Sequence, residues 1–377
     1  MRMSHIRQLD GLRAIAVGLV FVAHCRLDAI VPGGLGVTVF FFLSGYLITS
    51  LMRSEIAQTD TLDFKAFMMR RTLRIWPPLY ITLAVALVTV LLVFPHRLLD
   101  PWVVVAQAGF FNNYVRGSLT EGVGLPLPLW SLAVEEHYYL AFPLLYLLLS
   151  RALAARQIAW ACFGLCLVVL AIRTIIVARY GPLHDIYFWS HTRIDSILFG
   201  SCLAAFNNPV LDNDAWRPRM WHFAAALLLL LACLAIRNPI FRETIRYSLQ
   251  GAALYVIFSY IISDKGKLSA LLNSAPLQIV GLYSYTFYLV HMLVIEVIEE
   301  AFPGIPTAGL IVSAGVISLI YSAAMYRFVE RPMALWRKRF HAVDANATVA
   351  PSAPLRAMAN ASSALPTPQG SKGEQLR

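Results

Sequence analysis

The sequence predicts an all-α membrane protein, a bundle of about ten transmembrane helices, and three observations predict it. Apolar residues make up 58% of the 377 residues, charged residues only 14%, and the mean hydropathy is +0.64. A soluble domain of this size carries close to twice that charge. The apolar residues fall into runs of bilayer length, and the basic residues crowd beside alternate ends of those runs. At about 20 residues per crossing, the chain holds roughly ten spans with little left for an aqueous domain.

The runs lie near 11–30, 35–52, 77–94, 128–149, 158–178, 192–206, 221–236, 247–263, 279–299 and 307–326. The first is retained as a span rather than a cleaved signal, because no small-x-small site follows it and His24 spoils a lipoprotein-type site at Cys25. The prolines Pro77 and Pro78 are expected to restart the chain into the third span. Between the third and fourth, PWVVVAQAGFF (101–111) is apolar but too short to cross, which makes it interfacial or re-entrant. The sixth run is short and carries Arg193 and Asp195, so it suits a lipid-facing position least. After about residue 340 the chain turns to Ala, Ser, Pro and Thr without periodicity. A transmembrane domain over 1–340 and a disordered cytoplasmic tail over 341–377 are therefore expected.

Orientation follows from the basic residues. Alternate loops hold nineteen Lys and Arg residues on one side and eight on the other. The positive-inside rule places the richer side, and with it both termini, in the cytoplasm. The net charge of +10 belongs to this asymmetry, and no basic-aromatic stripe supports a nucleic-acid partner. The five cysteines all fall inside apolar runs and lack the spacing of a zinc site or a disulfide framework, so they read as small hydrophobes. The expected partners are thus the bilayer and its substrates.

Ionisable groups within spans are expensive and are kept for a reason. RQLDGLRAIA (7–16) carries Asp10 and Arg13, with His24 eleven residues beyond Arg13. That spacing is about 16 Å, close to three turns, so Arg13 stands at one mouth of the bundle and His24 at depth on nearly the same face. Imidazole titrates near neutrality, which makes His24 a candidate general base or nucleophile; the competing reading is a histidine hydrogen-bonded between helices. In FMMRRTLRIWPPLY (67–80), Arg70, Arg71 and Arg74 could be topogenic alone. Arg71 and Arg74, however, share a helical face, and paired guanidinium forks suit phosphates.

LWSLAVEEHYY (129–139) brings Trp130, Ser131, Glu135 and Glu136 to the start of an apolar helix. Adjacent helical residues point about 100° apart, so the two glutamates cannot both face one cleft. Arg193 and Asp195 lie on different helix faces and are expected to pair elsewhere. For these two, for His291 at the end of YSYTFYLVH (283–291), and for YRFVERP (326–332), an architectural role is favoured over a catalytic one.

Taken in order, these motifs resemble the acyltransferase type 3 family, integral-membrane enzymes that O-acylate sugars and related acceptors. The resemblance runs over about residues 5–335, through R-x-L-D-G-L-R-A-I-A, GVTVFFFLSGYLI, R-R-x-x-R-I-x-P, W-S-L-A-V-E-E-H-Y-Y, R-x-D-x-x-x-x-G, Y-S-Y-x-x-Y-L-x-H and V-E-R-P. It implies a bundle of about ten helices that takes acyl-CoA from the cytoplasm, acetyl-CoA by default, as co-substrate with no bound cofactor and no metal. It implies that His24 and Glu135 are catalytic and that Arg13, Arg71 and Arg74 bind acyl-CoA. Asp10, Arg70, Trp130, Ser131, Glu136, Arg193, Asp195 and His291 take supporting parts. His137, Tyr138 and Tyr139 stand where relatives usually have Gln-Phe-Tyr.

The function expected on this basis is transfer of an acyl group to a hydroxyl of a cell-envelope or exported glycan or glycolipid, in a bacterial inner (plasma) membrane. In the mechanism this suggests, Glu135 orients His24. Two other readings stay open: a polytopic transporter or flippase of a sugar-containing substrate, since buried Arg, Glu and His also mark those proteins, and a membrane glycosyltransferase, disfavoured because no carboxylate pair is placed for a nucleotide-sugar metal.

Overall fold

A computed structural model describes residues 5–115, 123–337 and 340. The tail expected over 341–377 lies outside the described residues. Among them the chain is helical, with a single isolated bridge, Leu99 to Val123, and no strand. Ten helices have sixteen residues or more: α1 (Arg7–Val22), α2 (Gly33–Thr59), α3 (Phe64–Val93), α4 (Trp130–Ser150), α5 (Ala155–Tyr180), α6 (Ser190–Phe206), α7 (Met220–Ala235), α8 (Arg246–Ser263), α9 (Ala275–Ala301) and α10 (Thr307–Met325). Among the described residues six stretches are long and apolar enough to cross a membrane: those containing α1, α2, α3, α5, α9 and α10. A membrane helical bundle fits these facts, with six such spans where the sequence predicts about ten. Of the other four, α6 and α8 carry buried polar groups, whereas α7 is apolar but only 16 residues long.

The centre is α6, flanked by α2 and α5. Nearly every residue from Ser190 to Ala205 is buried. A helix covered all round needs no lipid-facing stripe, which explains how so short and polar a run is accommodated. It approaches α2 through glycines: a Cβ on Gly45 would overlap the carbonyl of Ile197, and one on Gly200 would overlap that of Phe42. Without a hydrophobic drive between helices in lipid, such close backbone approach is a main source of helix association.

The polar groups of α6 bind its neighbours. Arg173 of α5 and Asp195 are both fully buried and form an ion pair of 2.7 Å. Arg173 also donates to the carbonyls of Thr192 (2.6 Å) and Thr244 (3.0 Å) and to Ser248 Oγ (2.8 Å). A buried ion pair holds only when its remaining donors are satisfied, and here the acceptors come from α6 (Thr192), the turn before α8 (Thr244) and α8 itself (Ser248). This is the partner expected for Asp195. Among the described residues Arg193 meets no carboxylate. Its guanidinium lies 3.8 Å from the ring centroid of Tyr247, 5.1 Å from Tyr187 and 5.6 Å from Phe41, and Nη2 donates to Thr38 Oγ1 at 3.2 Å. Burial pushes the Tyr187 phenol up to about 12, against the pull of Arg193, so this wall of the cage stays neutral.

Two local expectations are corrected or refined. The Pro pair does not interrupt the chain: α3 runs unbroken from Phe64 to Val93. Prolines within a helix are tolerated in membrane bundles, and beside this pair Tyr285 of α9 donates to the Ile75 carbonyl at 2.7 Å, tying α9 to α3. The 101–111 segment folds back into the bundle. Its helix, Pro101–Ala108, is capped by Asp100, buried Gln107 bonds both the N–H and the carbonyl of Leu125, and Phe110 packs on Trp76, well inside α3.

Candidate active site

The backbone of α1 breaks just beyond His24. A π-helical turn spans Ala23–Leu27, and Arg26 adopts φ +67°. That left-handed conformation costs an ordinary residue about 1–2 kcal/mol. It is held by Arg26 pairing with Glu299 at 2.6 Å and donating to the Ile305 carbonyl at 3.0 Å, which anchors the turn to the end of α9. Single π turns of this kind often mark functional positions. Here the turn presents the imidazole of His24 to a cavity.

His24 Nδ1 lies 2.8 Å from His291 Nε2, and His291 Nδ1 lies 2.8 Å from the carbonyl oxygen of Tyr288. A carbonyl only accepts, so His291 carries its hydrogen on Nδ1 and its Nε2 is an acceptor. In the neutral pair, His24 therefore donates from Nδ1, and the lone pair of its Nε2 is left for other work. A second residue that fixes the tautomer of a base in this way is a standard catalytic device. The sequence reading favoured an architectural role for His291; the fold sets this fully buried side chain against His24.

His24 lines a cavity of about 980 Å³ at one end of the bundle. Its walls include Trp130, Tyr187, Tyr247 and Tyr288, and charged groups from several elements, among them Asp28, Arg97, Arg246 and Glu296. Arg97 and Glu296 form an ion pair.

Toward the opposite end lies a second, smaller cavity of about 90 Å³, lined by Arg13, Arg71, Arg74, Ser44, Ser131, Glu135 and Tyr139 among others. Three cations and one carboxylate leave it positive. Among the described residues, Arg71 and Arg74 make no hydrogen bond or ion pair, and the Arg71 guanidinium lies 5.8 Å from the Tyr139 ring centroid. Arg13 comes only within 4.0 Å of Asp10, which His5 holds at 2.7 Å. Uncommitted guanidiniums in a partly closed pocket suit an anion such as a phosphate.

Glu135 belongs to this second cavity. Its Oε2 accepts from the Tyr139 hydroxyl at 2.8 Å, and that hydroxyl lies 3.0 Å from Ser44 Oγ. The expected contact with His24 is absent: His24 lines the first cavity and Glu135 the second. They sit on helices whose registers bring different faces together. Glu136 does not line the positive cavity with its neighbour, as the 100° rotation requires, and its Oε1 is buried without a partner.

Of the remaining residues, Arg70 is committed to Glu55 at 2.7 Å and faces away from the pocket. Trp130 packs on Phe41, Tyr187 and Phe188. Ser131 Oγ lies 2.7 Å from the Tyr288 hydroxyl. His137 Nδ1 meets Ser190 Oγ at 2.6 Å, in neither cavity. No role was expected of Tyr139, Ser44 or Tyr288, although helical spacing offered a signal for two of them: Tyr139 stands one turn after Glu135 and Tyr288 one turn before His291.

A profile for the acyltransferase domain of the acyltransferase 3 family matches residues 6–327. The chain belongs to this family. Among curated proteins it is similar to the O-acetyltransferase OatA of Staphylococcus aureus, in strains NCTC 8325 / PS 47 and COL alike, at 29% identity over 353 residues. That alignment covers 86% of this chain and 56% of OatA, so the chain spans little more than half the length of these relatives. No solved structure matches.

Proposed function

We propose that the chain is a membrane O-acyltransferase, with acetyl the default acyl group, that takes the group from acyl-CoA and passes it to a hydroxyl of a cell-envelope or exported glycan. The observation that carries this is the His24–His291–Tyr288 chain, which leaves a basic nitrogen facing a cavity large enough for a sugar. The family and the name of its S. aureus relatives support the acyl transfer.

In this reading Arg13, Arg71 and Arg74 hold the phosphates of CoA, and the positive-inside rule turns their end of the bundle, with both termini, toward the cytoplasm of a bacterial plasma membrane. All ten long helices would then cross. The acceptor hydroxyl enters from the His24 side. His24 Nε2 takes its proton while the oxygen attacks the thioester carbonyl; a C–O bond forms, the C–S bond breaks, and the proton passes to the CoA thiolate. The imidazolium that forms on the way is stabilised through His291 and the Tyr288 carbonyl. A positioned base of this kind contributes on the order of 10²–10⁴ in rate. Prior acylation of His24 itself, followed by attack of the sugar, uses the same residues; trapping of an acyl-enzyme with labelled acetyl-CoA identifies that route.

Cavities at opposite ends with side chains between them also suit a transporter of a sugar-containing substrate. Purified protein given acetyl-CoA and an envelope extract should release free CoA. A transporter would move substrate and leave the thioester intact.

A further inference from the structure

Val37 and Tyr288 are the two residues that line both cavities. Everything else divides: Trp130 and His24 on one side, Ser131, Glu135 and the arginines on the other. The Tyr288 ring is held in place on each side. Its hydroxyl lies 2.7 Å from Ser131 Oγ on α4, and its ring packs 6.0 Å from Phe40 and 5.7 Å from His291. Its main-chain carbonyl is the acceptor that sets the tautomer of His291. One residue thus sits both behind the base and across the passage to it.

We infer that the Tyr288 side chain is a gate between the two cavities: closed, it keeps water and the His24 nitrogen away from the thioester, and it swings aside for the acyl carbonyl to reach the acceptor oxygen. This rests on the acyl-transfer reading. Phenol rotation about its first two side-chain torsions, with loss of one hydrogen bond to Ser131, is a small motion, and a net neutral hydrogen bond is worth only about 0.5–1.5 kcal/mol. Tyr288 is a positioning residue, and its effect is on coupling: without the ring, water can replace the acceptor, attack the thioester carbonyl, and release the free acid and CoA.

Two measurements test the gate. In the first, CoA release from acetyl-CoA is followed without acceptor, in the full chain reconstituted in detergent. Tyr288→Ala is expected to raise this acceptor-independent release several-fold over the parent while lowering acceptor-dependent transfer; Tyr288→Phe, which keeps the ring and loses only the bond to Ser131, should fall between. A merely structural role would lower both rates together. In the second, Ser284→Cys places a thiol in the positive cavity, and a charged, membrane-impermeant thiol reagent is applied from the His24 side. Labelling should be slow with Tyr288 present and several-fold faster with Tyr288→Ala.

Equal labelling with and without the Tyr288 ring overturns the gate, as does an acceptor-independent rate that Tyr288→Ala leaves unchanged in an active enzyme. Labelling that depends on Tyr288→Ala in a chain that never consumes acetyl-CoA keeps the partition and removes the acyl-transfer reading instead.

Discussion

His24 and Glu135 open onto different cavities, and the Tyr288 side chain stands between those cavities. Each residue accordingly takes its orientation from a different partner: His24 from His291 and Glu135 from Tyr139, each at 2.8 Å. In the proposed reading, this separates acid–base work from anion binding along the bundle axis.

The first consequence concerns the two histidines. His24→Ala should abolish acceptor-dependent CoA release while the protein still inserts. His291→Ala should cost about 10- to 100-fold in kcat, part of what a positioned base supplies, with the KM for acyl-CoA unchanged. Steady-state kinetics on purified variants decide it. A change confined to KM would take His291 out of the proton path.

For the arginines the expected split is the opposite. A charge-assisted hydrogen bond to a phosphate is worth about 1.5–3 kcal/mol, so Arg71→Ala or Arg74→Ala should raise the KM for acyl-CoA roughly 10- to 100-fold with kcat little changed. Added salt should weaken acyl-CoA binding in the parent and less so in the variants. An effect on the acceptor alone would contradict the assignment.

Glu135→Gln keeps an oxygen for the Tyr139 hydroxyl and removes the one carboxylate among three arginines. Because no contact joins it to His24, the loss in kcat should be far smaller than that of His24→Ala, and the KM for acyl-CoA should fall or hold. A collapse to the His24→Ala level would put Glu135 in the proton transfer after all.

Arg173→Leu leaves Asp195 buried without its cation, a change that costs about 3–5 kcal/mol. Thermal unfolding in detergent should show a large loss of stability. Combining it with Asp195→Leu should recover part of that loss, since the stranded charge is gone. If the double variant were no better than the single, the pair would matter for something other than charge compensation.

Much of this molecule was legible from the sequence because hydropathy and charge act locally. Run lengths fixed where long helices lie, and the cost of an ion in an apolar run singled out Arg13, His24, Glu135, Arg193 and Asp195 before any fold was known. The ordered motifs led to the family. The local proline rule, by contrast, failed at Pro77 and Pro78, where α3 continues unbroken within the packed bundle.

What only the tertiary structure decided is which residues meet. A sequence sets the depth of a side chain along its helix through the rise per residue, but its partner depends on how each helix is rotated about its axis against its neighbours. That rotation is set by packing, such as the glycine contacts between α2 and α6. It brought His291 to His24 across 267 residues of chain, turned Glu135 toward the arginines, and put Tyr288 between the two cavities. None of these is a property of a single segment, so no reading of segments one at a time could contain them.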